Sequence, residues 1–540
     1  MSNARLLSIT LERFKSYDKA TTIPLSPLTV VLGKNNSGKS SIIQALLLLK
    51  QTLALPRPEV PLHLQGALFD ALSLREVTYG WPAPADYVEG PRIVIRWSST
   101  IDTRVAWERA GWPDKATFMK NTGLEWMRGI ISQLMALQCR VTELELAYAE
   151  VEGRTVLYEV RLRSFAKAED REPECRFTFK REKHLGLYSC WFNGQDASKL
   201  YVGMDHFLPN VSLDRSDLGP RSKQRTWFNA FLLLFSQPIN DLKAILSGFG
   251  YLGAMRTPPA TLYRPDPVPP EEIGVNAEYA AQMLHARRSD RVHYLPPLRI
   301  EGGEIKVPSK VRAKNLEDAI NEVLLELGVD VRLKVDEVKD VGFRLFFGQA
   351  SLQHVGRGLS YLLPVIQLGL VADPLRFDPI LGDSHQNEYD AACRSYSHIA
   401  TEEGDAHLHP KVQSRLAHWL VALAMARRQL IVETHSDHLV RRLRGLAARA
   451  KPGSDLEKWL LENVNIVKVE QHEGMSTAET VRLTPQGSLE DWPAEFMDEA
   501  TDEERAIYDA SLDKPAGEQG MMPELGTIEH DVGDEPDLGP

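Results

Sequence analysis

Leu28-Thr29-Val30-Val31-Leu32-Gly33-Lys34-Asn35-Asn36-Ser37-Gly38-Lys39-Ser40-Ser41 reads as an apolar strand running into a complete phosphate-binding loop, with an apolar helix starting near Ser41. The motif is diagnostic in this setting because a strand before it and a helix after it are what the loop needs in order to work. Backbone N–H groups of such a loop curl around a β-phosphate, and the helix N-terminus adds its positive dipole end. Lys39 then reaches the β/γ oxygens and the Ser40 hydroxyl joins a Mg²⁺ shell. Gly33 and Gly38 admit a close backbone approach that a Cβ would obstruct. Asn35, Asn36, Ser37 and Ser41 complete the candidate nucleotide contacts.

The rest of the 540-residue chain has ordinary globular composition, 43% hydrophobic and 25% charged. No stretch approaches the roughly 20 apolar residues of a membrane-spanning helix, and Met1-Ser2-Asn3-Ala4-Arg5 lacks the apolar region of a secretory signal, so a cytoplasmic protein with no membrane partner is expected. Cys139, Cys175, Cys190 and Cys393 show no paired spacing and read as reduced thiols. The net charge of −11 is a property of the end of the chain: from Glu495 to Pro540 there are 15 acidic residues against Arg505 and Lys514. The near-neutral remainder keeps nucleic acid open as a partner without arguing for it.

Short strands are expected at Leu6–Leu11 and 22–25, then the phosphate-loop strand and a buried helix from Ser40 to about Leu53. Alternating runs at Ile93–Trp97, Thr142–Leu146, Thr155–Arg163 and Arg176–Lys180 suit half-exposed antiparallel ribbons. Arg154, Arg161, Arg163, Arg176, Lys180 and Lys183 crowd this section, with Arg221, Lys223 and Arg225 beyond it. The interleaved Glu152, Glu159, Glu169 and Glu182 favour a solvated mixed-charge face over a nucleic-acid surface. After a proline-rich loop, 264–274, and a helical region, 315–327, the pattern becomes helix, strand, helix, strand, helix from Gly358 to Ala450. That alternation implies a parallel sheet clasped by helices, an α/β fold.

Three further elements cluster in order. Gly358-Leu359-Ser360 opens an apolar helix, where Ser360 and nearby amides suit an anion. Glu402-Glu403 follows a short strand; one carboxylate suits Mg²⁺ and the other a water nucleophile. His435 follows the strand Leu430-Ile431-Val432-Glu433, where a γ-phosphate sensor belongs. All these tips fall on one edge of the sheet, the ligand-binding edge of open α/β folds.

With these residues in hand, the chain resembles ABC-type ATPase heads of the RecF, SMC and OLD group, often described as AAA ATPases of bacterial defence and repair systems. The resemblance lies in Phe14-Lys15-Ser16-Tyr17 before the phosphate loop, in Glu402-Glu403-Gly404-Asp405-Ala406-His407-Leu408-His409-Pro410 as a Walker B and D-loop run, and in Glu433-Thr434-His435-Ser436. Tyr251-Leu252-Gly253 and the end Gly487-Ser488-Leu489-Glu490-Asp491-Trp492-Pro493 also match. The implied architecture is a P-loop ATPase head with a mixed central sheet flanked by helices and an inserted α+β region. It implies an N-terminal ATPase lobe at 1–100, an insertion at 101–240, a helical and linker region at 241–340 and a C-terminal ATPase lobe at 341–484. A small module at 485–508 and an acidic disordered tail at 509–540 would complete the chain.

The resemblance further implies Mg²⁺-dependent ATP hydrolysis in a homodimer or higher oligomer. Lys15, Lys39 and Ser40 would hold nucleotide, and Glu402 the metal with Ser40. Glu403 and His435 would be the catalytic pair, and Gly358 and Ser360 of one copy would complete the other's site. Tyr361 in place of a common Gln, and Gly404 in place of Pro, imply slow or partner-dependent hydrolysis. The role implied is a sensor or regulator in antiphage defence with a separately encoded nuclease or toprim effector. The alternatives are an ATP-regulated nuclease, using Asp383, His385, Glu388 and Asp390, or a RecF/SMC-like DNA-binding repair ATPase.

Overall fold

β3 (Leu28–Gly33) is buried along its whole length because it lies inside a six-stranded sheet. The computed structural model describes residues 4–82, 85, 87–101, 139–182, 186–213, 222–375, 382–393 and 395–489. All of these belong to one unit, Met1–Glu490. The expected acidic tail and most of the small C-terminal module lie outside the described residues, as do Lys183 and Arg221.

The N-terminal hairpin β1 (Arg5–Glu12) and β2 (Thr21–Pro24) enters an antiparallel eight-stranded sheet of order β2-β1-β4-β5-β6-β7-β8-β9. Its other members are β4 (Tyr87–Thr100), β5 (Cys139–Val151), β6 (Arg154–Phe165), β7 (Cys175–Arg181), β8 (Tyr188–Phe192) and β9 (Gln195–Asp196). Period-two alternation sends Leu144, Leu146, Val160 and Leu162 to a buried face. The opposite face carries charge, and the pairing of Glu143 with Arg163 and Glu145 with Arg161 across β5 and β6 lets those charges meet. Arg161 binds Glu145 at 2.9 Å and Glu159 at 3.0 Å, Arg163 reaches Glu145 at 2.6 Å, and Lys180 lies 3.4 Å from Glu159. These cations are therefore compensated within the sheet.

Beyond the hairpin β10 (Tyr201–Asp205) and β11 (Leu208–Ser212), helices α2 (Lys223–Leu234) and α3 (Ser236–Ser247) pack onto the apolar face. Phe231 and Phe235 meet Phe177 edge-on at 5.4 and 5.7 Å, and the Trp97 indole donates to the Pro238 carbonyl at 3.0 Å. α1 (Lys39–Leu53) is buried nearly all round because it runs between α3 and two parallel strands, β3 and the strand Arg428–Glu433.

Smaller elements fill the middle of the chain. They are β12 (Gly250–Leu252), α4 (Ala280–Arg287), β13 (Arg291–Tyr294), β14 (Arg299–Glu301), β15 (Glu304–Lys306), β16 (Lys310–Asn315), α5 (Leu316–Leu327), β17 (Leu333–Val338), β18 (Gly342–Phe347) and β19 (Ala350–Ser351). α5 shows the local logic plainly: the Asn315 side chain caps the Asp318 amide, Glu317 and Asp318 face the positive helix end, and Gly328 at φ 85 closes it in the left-handed region.

The C-terminal half supplies α6 (Arg357–Val371), β20 (Ser384–His385), α7 (Gln386–Ala392), β21 (Ser397–Glu402), α8 (Pro410–Met425), β22 (Arg428–Glu433), α9 (Asp437–Arg449), α10 (Asp455–Asn463), β23 (Val464–His472) and β24 (Met475–Arg482). The six-stranded sheet has the order β12-β21-β22-β3-β23-β24, with the first five strands parallel and β24 antiparallel. The expected parallel sheet clasped by helices is thus present, and β23 and β24 extend it. No helix or strand is expected from the sequence within 451–486, since Asn465 and Lys468 interrupt the apolar run of β23 although both are buried.

Side chains tie the two large sheets together: Asn465 on β23 donates to the Pro24 carbonyl at the end of β2 at 2.8 Å, and Gln429 makes a second tie. Gln429 on β22 accepts from the Leu6 amide at 2.9 Å and donates to the Leu6 carbonyl at 2.7 Å, beside the irregularity between Leu6 and Ser8 on β1. Gln429→Leu leaves both buried backbone groups without partners. The expected loss is about 2–6 kcal/mol, read as a lower urea midpoint, since each of the two unpaired groups costs about 1–3 kcal/mol. An unchanged midpoint would remove Gln429 from this role.

Candidate nucleotide site

Parallel strands whose carboxyl ends share a sheet edge deliver their last residues to one place. Here Glu402 at the end of β21 pairs in register with Glu433 at the end of β22, and Glu433 pairs with Val31, two residues before Gly33. The phosphate loop, the Glu402-Glu403 pair and the Thr434-His435 segment therefore converge, as the sequence predicted.

The loop is tightly built. Asn36 and Gly38 are left-handed, at φ 63 and 98, and Gly38 leads directly into α1. A Cβ on Gly38 would lie 2.5 Å from the Ser476 hydroxyl and 2.6 Å from that of Ser16, while one on Gly33 would lie 2.3 Å from the Val469 carbonyl. Ser476, on β24, donates to the Ser37 carbonyl at 2.6 Å, so the late strand clamps the early loop. The Lys39 ammonium turns back onto the carbonyls of Gly33 and Lys34, at 3.0 and 2.8 Å, and lies 3.9 Å from Glu433. Burial lowers its pKa, with Glu433 opposing that shift.

The Ser40 hydroxyl donates to Glu433 Oε1 at 3.0 Å. The carboxylate in direct contact with the loop serine is thus Glu433, a residue the motif reading passed over; its signal was a carboxylate ending an otherwise apolar strand directly before Thr434-His435. Glu433 Oε2 and the Ser37 hydroxyl are both buried and without a hydrogen-bond partner. Burial, and then the neighbouring Glu402, push the Glu433 carboxyl up to about 7. Glu402 instead accepts from the Tyr251 hydroxyl at 2.8 Å, and burial raises its pKa as well.

Glu403 takes a left-handed turn at φ 48, its amide bonded to the Glu433 carbonyl at 2.9 Å. Its carboxylate is partly exposed and lies 3.9 Å from the His435 ring. Burial, with Lys39 nearby, keeps His435 below its ordinary pKa, so the ring is neutral at neutral pH. Asp405 accepts from the Thr434 hydroxyl at 2.8 Å, and Gln413 on α8 ties the Asp405 carbonyl to the Ser436 hydroxyl. Asn35, Glu403, Asp405, Gln413 and His435 line a cleft of about 540 Å³. Lys15, at φ 53, bonds the Gln44 side chain and lies over the Phe69 ring; burial lowers its pKa while Glu402 opposes the shift. Ser41 is buried at the start of α1.

Gly358 and Ser360, expected on the same sheet edge, do not line this cleft, because they open a helix rather than end a strand. Ser360 bonds the Arg357 carbonyl at 2.8 Å at the start of α6 and lines a separate hollow with Arg256 and Pro364. The four residues of the nuclease alternative do not converge on a shared centre either. Asp383 accepts from the Ala313 amide at 2.8 Å, Glu388 caps His385 at 3.1 Å, and Asp390 binds Arg427 at 2.8 Å.

Residues 5–78 match the AAA ATPase domain family. This N-terminal stretch is similar to an AAA ATPase domain over a small part of the chain. The match spans the phosphate loop, Lys15 and all of α1, and ATP binding and hydrolysis is the activity it supports. No curated protein sequence matches the chain. Among solved structures, an SMC head bound to the C-winged helix domain of ScpA is 13% identical, over 88% of this chain and 98% of that one, with a TM-score of 0.39. The SMC head domain from Thermotoga maritima is 11% identical over 88% and 98%, with a TM-score of 0.33. The Pyrococcus furiosus Smc head with an extended coiled coil, bound to the C-terminal domain of ScpA, is 12% identical over 94% and 100%, also at 0.33. Likenesses this loose carry no argument, and the fold rests on the strand order of the chain itself.

A carboxyl that is neutral up to about 7 when folded, against 4.5 ordinarily, binds more protons in the folded than in the unfolded state between those values. Its contribution to stability therefore falls as pH rises through that interval. Nucleotide-free Glu433→Gln should melt above the parent at pH 8, by a margin on the order of 1–3 kcal/mol that shrinks toward pH 5. A gap of equal size at both pH values in thermal melts contradicts this.

Proposed function

We propose that two copies of this ATPase enclose two ATP molecules, each held by the phosphate loop of one copy and completed by Gly358 and Ser360 of the other. The observation that carries the reading is the Ser40–Glu433 hydrogen bond, with Lys39 beside it and Glu403 and His435 on the adjoining cleft. The amides of Asn35 to Ser40 and the Lys39 ammonium bind the phosphates, and displacement of Lys39 from the Gly33 and Lys34 carbonyls frees it to do so. Mg²⁺ fits the donor set: a hard cation takes oxygen ligands, and Ser40, Glu433 with its unpartnered Oε2, and Glu402 supply them. When bound, the metal neutralises charge on the phosphate oxygens. Glu403 orients the attacking water, and neutral His435, 3.9 Å from it, detects the γ-phosphate. Lys15 approaches the nucleotide from the β1–β2 turn.

The ATP-gated dimer would act as a cytoplasmic sensor or regulator in antiphage defence, with a separately encoded effector. Two observations favour this over the alternatives. The acidic residues that would make the chain a nuclease serve as caps and ion pairs, and Arg161 and Arg163 of the antiparallel sheet are matched by glutamates rather than left for a nucleic acid.

Lys39→Ala should reduce ATP binding by at least a hundredfold in a fluorescent-nucleotide titration. Glu403→Gln should bind ATP with parental affinity, lose at least a hundredfold in turnover and accumulate a dimer by light scattering; hydrolysis at the parental rate would remove Glu403 from its assigned role. Ser360→Arg should abolish the ATP-linked dimer and leave monomeric binding within about threefold, an outcome that equal loss in both assays would reverse.

A further inference from the structure

Arg256 follows β12 by four residues and is 8% exposed. Its guanidinium donates to the backbone carbonyl of Glu402 at 3.1 Å and to that of Met255 at 3.3 Å, and its Nε has no partner. Burial pushes its pKa down to about 10, which still leaves it charged at neutral pH. The other face of the guanidinium meets an aromatic ring: its carbon lies 5.8 Å from the centroid of Tyr361, within range of a cation–π contact. Tyr361 is the residue after Ser360, and its ring stands edge-on to His407 at 4.9 Å. One turn earlier, Gly358 is pressed against the same segment, since a Cβ there would lie 2.7 Å from the His407 carbonyl.

A buried cation requires compensation, and this one draws it from a carbonyl at the end of β21 and a ring on the first turn of α6. It therefore spans the two segments that the proposed function assigns to opposite nucleotides. Any shift of that first turn moves the Tyr361 ring, which bears on His407 from one side and on Arg256 from the other. Arg256 in turn grips the peptide joining Glu402 to the left-handed turn at Glu403.

Building on the ATP-dimer reading, we infer that Arg256 and Tyr361 form a strut through which engagement of Ser360 by the second copy's nucleotide aligns Glu402 and Glu403 of the same chain. Both are positioning residues. The strut explains why an aromatic residue follows Ser360: a ring supplies the face that a guanidinium needs and the edge that His407 meets. It also makes each active site dependent on its neighbour's occupancy, because the helix that touches one nucleotide is braced against the carboxylates of the other.

The link and its use can be tested separately. In the nucleotide-free protein, Tyr361→Leu should raise amide hydrogen exchange across residues 402–407 at least fivefold, while Tyr361→Phe, which keeps the ring, leaves it near the parental rate. In steady-state assays, Tyr361→Leu and Arg256→Met should each lower kcat at least tenfold and leave the nucleotide Kd of the monomer within twofold. Arg256→Lys should recover part of the rate, and the Arg256→Met/Tyr361→Leu double variant should be no worse than the poorer single one. Unchanged exchange at 402–407 in Tyr361→Leu overturns the inference whatever the protein hydrolyses, and the Tyr361 side chain is only partly buried, so the result does not hinge on Arg256→Met folding. Altered exchange with parental kcat, equal damage from Phe and Leu, or additive losses in the double variant overturn it too. Altered exchange in a parent that lacks Lys39-dependent hydrolysis would leave the physical link standing and sink the ATPase-dimer reading, and with it the strut's assigned use.

Discussion

The hydrogen bond from Ser40 to Glu433 depends on one topological fact: β22 lies between β21 and β3. In a parallel sheet, adjacent strands in register bring their final side chains within a few ångströms of one another. Inserting β22 beside the phosphate-loop strand puts Glu433 next to Ser40 and Lys39, with Glu402 one strand further out and facing Tyr251. Glu402, Glu403 and Glu433 then crowd one sheet edge with the buried Lys39 and the half-buried Lys15. Burial raises Glu402 and Glu433 and lowers Lys39 and Lys15; the neighbouring carboxylates add to the first pair of shifts and oppose the second. An edge held in this electrostatic tension is suited to a multiply charged ligand with its cation, since both signs of local charge gain a partner on binding.

The segments after each strand are fixed by polar bonds rather than by apolar packing. Thr434 bonds Asp405, Ser436 bonds Gln413, and Gln413 returns to the Asp405 and Leu408 carbonyls. This network joins the turn after β21 to the turn after β22, so Glu403 and His435 belong to one connected unit. It also accounts for a strand less apolar than its position suggests. β21 carries Ser397, His398 and Thr401, yet its burial is secured by β12 on one side and β22 on the other. Gly404, where the related motif has Pro, has little room: a Cβ there would stand 3.0 Å from the Thr401 hydroxyl.

What was legible in the sequence follows from how local each signal is. The phosphate loop, α1, β21, β22 and the helices between them rest on contiguous motifs and periodicity, and all are observed within a few residues of the expected bounds. β1, β2 and β4 to β7 were visible as separate ribbons while β8 and β9 were not, and the union of β1 with β4 depends on pairings 80 or more residues apart in sequence. Ser476 and Arg256 gave no readable signal, because a serine on an exposed-looking strand and an arginine in a loop acquire their roles only from distant partners. Glu433 was readable, and was overshadowed by the Glu402-Glu403 pair, whose adjacency looks more like a catalytic motif than a lone strand-terminal acid does.

The clamp of Ser476 on the loop at Ser37 and Ser16 has a bearing on how the molecule is made. On the ribosome, the loop emerges more than 400 residues before β24, and β3 must wait just as long for both of its neighbours, β22 and β23. Through most of synthesis the nascent N-terminal segment holds an apolar strand and an apolar helix with no sheet to join, the kind of unsatisfied surface that recruits chaperones. The finished pocket is thus a late product of translation, and a truncated transcript yields a chain that displays the complete motif yet lacks the walls needed to grip a phosphate.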